Sequence, residues 1–292
     1  MFGLWPTIRR GTSKQPAAVL PLTKSIYGSI SIGKKNFLRQ FFANRGKSKA
    51  YLRMNAIEIK DLVKTYKTGT RALRGVSLTV GQGDFFALLG ANGAGKTTLI
   101  GILTGLINKT SGTVKVFGND IDKNFSAAKT FLGVVPQEFN FHMFENVLDI
   151  VVNQAGYFGI DYTTALADAG IILNQVGLWE KRKAMARTLS GGMKRRLMIA
   201  RGLIHHPRIL ILDEPTAGVD VELRIGMWDY LRKINGEGTT IILTTHYLEE
   251  AEQMCRHAAI IKKGEIVRLD TVANMIKGGK LEKIFLDIIK EQ

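Results

Sequence analysis

The most informative part of this sequence is Phe85-Phe-Ala-Leu-Leu-Gly90-Ala-Asn-Gly-Ala-Gly95-Lys96-Thr97-Thr98. Its first five residues form a short apolar run, which is typical of a fully buried strand, and helix-like sequence continues from Lys96 to Thr104. A glycine loop between such a strand and helix fits the phosphate-loop pattern Gly-x4-Gly-Lys-Thr. Glycines let backbone N–H groups turn inward around an anion, and the start of the helix adds free N–H groups. We therefore predict a nucleotide-binding loop.

The residues predicted to contact the nucleotide phosphates are Gly90, Ala91, Asn92, Gly93, Ala94, Gly95, Lys96, Thr97 and Thr98. In such loops the lysine reaches the β and γ phosphates and the hydroxyl that follows it binds Mg²⁺. The alternative is a glycine-rich turn that matches by chance, and the flanking strand and helix disfavour it. The motif predicts nucleotide binding without saying which kind of P-loop protein this is.

An apolar run at 209–212 ends in two carboxylates, Asp213 and Glu214. A buried strand has no structural need for two acids at its carboxyl end, whereas ligands of open α/β sheets bind at that end. We predict that Asp213 holds Mg²⁺ and that Glu214 polarises the attacking water, because phosphoryl transfer needs metal, positioning and water activation. The alternative is a loop of solvated acids.

Strand-like and helix-like segments alternate along the chain from Met54. Strands are predicted at 56–60, 76–80, 85–89, 113–117, 209–212 and 240–243, and helical sequence at 96–104, at 221–234 and through most of 144–187. Residues 258–270 read as a closing hairpin with Lys263-Gly264 at its turn. This order predicts an α/β fold with a mainly parallel core sheet.

Four further candidates are weak when each is taken alone. Ser190, Gly191 and Gly192 precede a basic helix-like stretch and form a possible anion site, although such a segment is more often a loop and the basic residues a solvated face. Gln137 is placed to reach Mg²⁺ or the water, Tyr66 to stack on an adenine ring, and His246 to contact a γ phosphate. Each of these three side chains is equally compatible with a structural role.

Composition restricts the class of protein. The 292 residues include one cysteine, which excludes an internal disulfide and fits a reducing compartment. No apolar run approaches the roughly 18 residues of a membrane span. Of the net charge of +16, residues 1–53 contribute eleven Lys or Arg and no acid, so the remainder has 30 basic against 25 acidic residues. Because the body is nearly neutral, we expect no nucleic-acid partner.

Residues 1–53 differ from the rest and admit three interpretations. They are basic, acid-free and fairly rich in Ser and Thr, as in an organelle-targeting segment. Alternatively, they are an upstream region, with the working protein beginning at Met54, or a basic arm that binds acidic lipid. We treat them as an extension that is flexible or dispensable.

Taken together, these residues resemble the ATP-binding cassette (ABC) ATPase family, over about residues 54–270. Seven motifs follow in the family's order: Tyr66 as the A-loop aromatic, 90–98 as Walker A, Gln137 as the Q-loop, Leu189-Ser-Gly-Gly-Met193 as the signature, Leu212-Asp213-Glu214 as Walker B, Ala217-Gly-Val-Asp220 as the D-loop and His246 as the switch. Several segments are similar to the YadG-like multidrug-type export ATPases. Met193 departs from the commoner Gln, and the D-loop departs from Ser-Gly/Ala-Leu-Asp.

The resemblance implies a P-loop NTPase (RecA-like) core with an antiparallel β subdomain and a helical subdomain at about 138–195, followed by a short tail at 271–292. It implies hydrolysis of MgATP between two copies facing head to tail, each ATP lying between Walker A of one copy and Ser190, Gly191 and Gly192 of the other. Glu214, His246 and Gln137 would be catalytic, and Thr97, Gln137 and Asp213 would bind the metal. Tyr66 would join the ATP-binding residues.

The implied partner is a separate integral membrane permease, which this chain would drive as a peripheral export ATPase on the cytoplasmic face of the membrane. Phe139, Phe141, Met143 and Phe144 are candidates for an exposed docking patch, with ordinary core as the equal alternative. The rival function is a soluble ABC ATPase acting on ribosomes or DNA. Against it, the chain has one Walker A and one signature, and the space between them is too short for a long coiled coil.

Overall fold

The computed structural model describes residues 55–216 and 221–290, which fold around two sheets. The expectations for residues 1–53 and for the D-loop, residues 217–220, lie outside the described residues. Within the described part, no helix is long and apolar enough to cross a membrane.

The larger sheet has six strands in the order β10-β9-β3-β8-β7-β6. Its strands are β3 (Phe85–Leu89), β6 (Leu132–Val135), β7 (Ile209–Asp213), β8 (Thr240–Thr244), β9 (His257–Lys262) and β10 (Glu265–Thr271). All neighbours are parallel except β9 and β10, which form an antiparallel hairpin. The parallel strands therefore present their carboxyl ends at one edge.

Strand β3 shows why its sequence is continuously apolar. Phe85, Ala87 and Leu89 belong to one buried cluster, and Phe86 and Leu88 belong to another. Because alternate side chains of a strand point to opposite faces, both faces of β3 are covered and neither tolerates a polar residue.

The smaller sheet is antiparallel and has the order β2-β1-β4-β5. It consists of β1 (Asn55–Thr65), β2 (Arg71–Gly81), β4 (Ser111–Val116) and β5 (Asn119–Asp120). Helix α1 (Lys96–Leu103) follows β3 in the chain. Its buried residues belong to one apolar cluster together with residues of β1, β2 and β4.

The remaining helices follow in chain order. They are α2 (Phe125–Thr130), α3 (Val147–Gly156), α4 (Tyr162–Gln175), α5 (Gly191–Leu203), α6 (Val221–Gly236), α7 (Leu248–Met254), α8 (Val272–Met275) and α9 (Leu281–Lys290). Short 3-10 turns occur at Trp179–Lys181, Ala186–Thr188 and Ile276–Gly278. In the segment expected to be a short tail, Val272, Met275 and Leu281 are buried and join the main core.

The predicted α/β class is confirmed, although β5 and β6 were not predicted as strands and the predicted strands differ from the observed ones at their ends. Strand β1 extends to Thr65, five residues beyond the predicted end, and β2 begins at Arg71 rather than 76. Both additions contain basic residues and lie where the pairing of β1 with β2 is irregular, so the apolar alternation that identifies a strand fades there. The hairpin turn falls at Lys263 and Gly264, as predicted.

Candidate active site

The phosphate loop connects β3 to α1 and exposes only its tip. Ala91, Asn92 and Gly93 are exposed, whereas Ala94, Gly95 and Lys96 are buried. Gly95 has φ +114°, and a Cβ there would lie 2.8 Å from the carbonyl oxygen of Ala72, so only glycine fits. The N–H groups of the first turn of α1 have no intrahelical acceptor, and they begin at Lys96.

Lys96 turns back onto its own loop. Its Nζ donates to the carbonyl oxygens of Gly90 at 2.6 Å and Ala91 at 3.2 Å. Burial lowers the pKa of Lys96, and the negative charges of Glu214 and Asp213 partly offset this effect. Because a buried charge is costly unless it is paired, the desolvated ammonium favours binding of an anionic group at the loop.

The turn of the β9–β10 hairpin braces the phosphate loop from outside. The N–H of Gly264 donates to the carbonyl oxygen of Ala94 at 3.0 Å, and the N–H of Arg74 donates to the carbonyl oxygen of Gly264 at 2.9 Å. Gly264 has φ +83°, and a Cβ there would lie 2.6 Å from the Ala72 oxygen. The hairpin thus fixes the loop through backbone atoms, with no side chain to reveal it in the sequence.

Asp213 and Glu214 lie where β7 ends. Asp213 Oδ1 accepts a 2.5 Å hydrogen bond from Thr244 Oγ1 of the neighbouring strand β8. Glu214 has a left-handed backbone with φ 47°, and its N–H donates to the Thr244 carbonyl oxygen at 3.0 Å. The chain therefore turns sharply after Asp213, and the two carboxylates take up different positions along the edge.

Three predicted residues meet at one carboxylate oxygen. Glu214 Oε2 accepts a hydrogen bond from Gln137 Nε2 at 3.1 Å and lies 3.2 Å from His246 Nδ1. Gln137 follows β6, Glu214 follows β7 and His246 follows β8, which are adjacent strands. Since the glutamate side chain is 12% exposed and that of His246 49%, the cluster is open to solvent on the histidine side.

Tyr66 lies next to the phosphate loop. Its hydroxyl is 3.2 Å from Thr98 Oγ1, and Lys64 Nζ stands 5.0 Å from the centre of its ring. The ring is partly buried, as expected for a group at the rim of a site.

The segment Ser190–Gly192 lies at a different place from the phosphate loop. Ser190 caps α5, with its Oγ accepting from the Met193 N–H at 3.3 Å, and Ser190 and Gly191 are exposed. Within residues 55–216 and 221–290, no hydrogen bond or ion pair joins this segment to residues 90–98. This segment is therefore a helix N-terminus whose first residues are exposed.

The sequence interpretation missed several residues around the site. The basic stretch after Gly192 was compatible with a solvated face, and that interpretation is wrong for Arg195, which is 4% exposed. Arg195 Nη1 donates to the Pro136 carbonyl oxygen at 3.0 Å, beside Gln137. Neither the burial of Arg195 nor the hydrogen bond from Thr244 to Asp213 produces a recognisable pattern in a single sequence.

Of the four aromatic and methionine residues proposed for docking, two are well exposed. Phe144 is 63% and Phe139 38% exposed, whereas Phe141 packs against the main core. The patch is therefore smaller than the sequence alone would allow.

The family model described as "ABC transporter" matches residues 73–217. The linearmycin resistance ATP-binding protein LnrL of Bacillus subtilis is 36% identical over 219 residues, covering 75% of this chain and 70% of that protein. The Nod factor export ATP-binding protein I of Paraburkholderia xenovorans is 39% identical over 209 residues, covering 72% and 68%.

Solved structures agree on the fold. An ATP-binding subunit of an ABC transporter superposes with a TM-score of 0.73 at 23% identity, over 80% of this chain and 99% of the other. A dimeric, post-hydrolysis cassette bound to ADP and Pi superposes with a TM-score of 0.68 at 26% identity, over 74% and 98%. On these similarities and on the arrangement of its motifs, the chain belongs to the ABC transporter family, as one of its ATP-binding, ATP-hydrolysing proteins.

Proposed function

We propose that this chain hydrolyses ATP at the carboxyl edge of the six-stranded sheet, with Glu214 polarising the attacking water. The observation that carries the proposal is the meeting of Gln137 and His246 on Glu214 Oε2. A glutamate held by two neighbours at the edge that also carries the phosphate loop is positioned to orient a water towards a bound γ phosphate.

The phosphates would be held by the N–H groups of residues 90–98 and by Lys96. In this structure the ammonium donates to two carbonyl oxygens of its own loop. Phosphate oxygens are stronger acceptors, because they are charged, so ATP would replace these carbonyls without the lysine leaving its buried position. Tyr66, next to Thr98, would stack on the adenine ring.

Mg²⁺ fits the donors that surround this loop. Mg²⁺ in nucleotide sites takes one or two carboxylates together with phosphate oxygens and water. The chain offers the Thr97 hydroxyl at the exposed start of α1, the Asp213 carboxylate and the Gln137 amide, which are all oxygen ligands. Bound there, the metal would neutralise charge on the phosphates.

Ser190, Gly191 and Gly192 would complete the site of a second copy of this chain. They stand at the exposed N-terminus of α5, away from the phosphate loop of their own chain, and such a terminus favours an anion. The similar cassette solved as a dimer with ADP and Pi supports this arrangement.

We further propose that the chain drives export through a separate membrane permease, from the cytoplasmic face of the membrane. The names of two relatives, one for linearmycin resistance and one for Nod factor export, support a role in export. Phe144 and Phe139 are exposed beyond Gln137 and are suited to dock on such a partner. The ATPase domain would span about residues 54–270, with 1–53 and 271–292 as accessory segments.

Replacing Glu214 by Gln tests the catalytic assignment. The amide keeps the size of the side chain but is a far weaker base, so kcat should fall by about 10²–10⁴-fold. The Kd for ATP should stay within about threefold, since the phosphate loop is unchanged. Steady-state phosphate release and equilibrium ATP binding measure the two quantities.

Glu249→Gln is the matched control, because Glu249 is exposed on α7 and accepts a hydrogen bond from Gln253, one turn away, at 3.2 Å. Its turnover should equal that of the native chain. Native turnover in Glu214→Gln would contradict the proposed function.

A further inference from the structure

Residues 136–140, here the linking segment, carry Gln137 but have little structure of their own. Among the described residues, positions 137–140 make no backbone–backbone hydrogen bond, and all four are exposed. A segment without such bonds has many accessible conformations, and only a fraction of them would bring Gln137 next to Glu214. Something outside the segment must select among them.

The first contact comes from Arg195, in the second turn of α5. Its Nη1 donates to the Pro136 carbonyl oxygen at 3.0 Å, and its guanidinium lies 5.2 Å from the centre of the Phe139 ring. With 4% exposure, this is one of the most buried charges in the described structure. Burial lowers the pKa of Arg195, and the negative charge of Asp213 offsets part of the shift.

The second contact comes from Arg201, in the last turn of the same helix. Its Nη1 donates to the Asn140 carbonyl oxygen at 2.9 Å, and its Nη2 donates to Asn140 Oδ1 at 2.6 Å. Two parallel bonds from a rigid planar group fix orientation as well as distance. Arg195 therefore holds the start of the linking segment and Arg201 holds its end.

We propose that Arg195 and Arg201 are positioning residues for ATP hydrolysis, which tie the linking segment to α5 and so set where Gln137 lies beside Glu214. This inference rests on the proposed function, which gives Gln137 and Glu214 their catalytic work. It adds a physical connection: Ser190 caps the start of α5, so a displacement of the segment proposed to meet the second copy would be carried to the chain's own hydrolysis site.

The test compares three variants of the full chain. Arg195→Met keeps the length of the side chain but removes its donors, and kcat should fall about tenfold while the Kd for ATP changes less than about twofold. Arg195→Lys retains one charged donor for Pro136 and should recover most of the loss. Asn140→Ala removes one of the two Arg201 bonds from an exposed position and should lower kcat about threefold.

Arg196→Met is the matched control, because Arg196 lies on the same helix but donates to the Val176 carbonyl oxygen at 3.1 Å, away from the linking segment. It should lower thermal stability as much as Arg195→Met does, with native kcat. Equal kcat in the Arg195→Met and Arg196→Met variants, or loss of ATP affinity in step with kcat, would overturn the inference.

Glu214→Gln, measured in parallel, distinguishes failure of the proposed catalytic function from failure of the positioning role of Arg195 and Arg201. If that variant turns over normally, the proposed function fails. If it is inactive while Arg195→Met and Asn140→Ala hydrolyse ATP at the native rate, only the positioning role fails.

Discussion

The phosphate loop and the signature segment are both glycine-rich helix starts, yet the fold treats them in opposite ways. Residues 90–98 are braced by β3, by Ala72 and by the hairpin turn at Gly264, and Lys96 is buried among them. Ser190–Gly192 has a cap bond and little else, and its first two residues are exposed. One helix start is therefore fixed by contacts within the chain, whereas the other is exposed at the surface.

This contrast explains why a sequence match is stronger evidence for a binding site at the phosphate loop than at the signature segment. Around the phosphate loop, the fold brings Gln137, Glu214 and His246 together at the ends of adjacent strands, because β8, β7 and β6 follow β3 in that order in one sheet. Around the signature, the chain supplies a helix N-terminus and no further ligand of its own within the described residues. Substitutions at Lys96, His205 and Ser190 test this contrast, in order of decreasing effect.

Lys96→Ala disrupts the phosphate loop, which contacts within the chain hold in place. Removing the ammonium deletes charge-assisted contacts to phosphate, and ATP affinity should fall by roughly 100-fold, or about 3 kcal/mol. Stability should hold, because the lysine is desolvated in the free chain and its removal relieves that cost. Isothermal titration with ATP gives the affinity, and chemical unfolding gives the stability.

Lys109→Ala serves as the control for Lys96→Ala. Lys109 is also largely buried, at 16% side-chain exposure, but it pairs with Asp122 at 2.8 Å. ATP affinity should be native in this variant. An unchanged Kd for ATP in Lys96→Ala would refute the assignment of the loop.

His205 lies just beyond the C-terminal end of α5, and its contacts anchor that end of the helix. Its ring stacks on Phe158 with 3.6 Å between centroids, and its Nε2 donates to the Leu132 carbonyl oxygen at 2.9 Å. Burial lowers the pKa of His205 from 6.5 to about 4, an effect that the Leu132 bond opposes and His206 reinforces. Because the folded chain binds this proton less readily than the unfolded chain, stability is lost as pH falls below 6.5, and the loss levels off near pH 4.

From pH 7.5 to 5, this histidine should account for about 2 kcal/mol of lost unfolding free energy. His205→Phe keeps a stacking ring but cannot titrate, so its unfolding free energy should decline less by that amount. Urea unfolding at the two pH values measures the difference, and other titrating groups cancel in the comparison. An identical decline in both proteins would show that His205 is not the group responsible.

Ser190→Ala probes the exposed segment Ser190–Gly192 and should have the smallest effect on the stability and ATP affinity of the isolated chain. Loss of the cap should lower stability by about 1 kcal/mol. Affinity for ATP should stay within about twofold, because the segment lies away from the phosphate loop and distant sites behave independently. A fall in affinity like that of Lys96→Ala would mean that the two regions share one site within a single chain.

Much of the architecture could be predicted from the sequence because its decisive signals are local. The run 85–89 is apolar throughout since both faces of β3 are buried, and the acid pair marks the carboxyl end of β7. The contacts at Glu214 Oε2 could be anticipated only as a set of motifs, since Gln137 and Glu214 are 77 positions apart.

Other parts of the site carry no local signal. Arg195 and Arg196 are adjacent and chemically identical, yet one binds Pro136 and the other Val176, because helix geometry points them in different directions. The exposure of Phe144 and the partial burial of Phe141 depend likewise on how residues 141–144 pack. Such differences arise from tertiary structure, which residue type alone does not determine.

The hairpin turn at Gly264 has a consequence for how the protein is made. The ribosome releases the phosphate loop about 170 residues before the turn that donates to Ala94. A growing chain that stops short of Gly264 would contain every phosphate-binding residue but would lack the brace that fixes their backbone. Tight ATP binding should therefore arise only after Gly264 has been synthesised, and the stabilisation that a bound nucleotide gives would favour chains that extend past this turn.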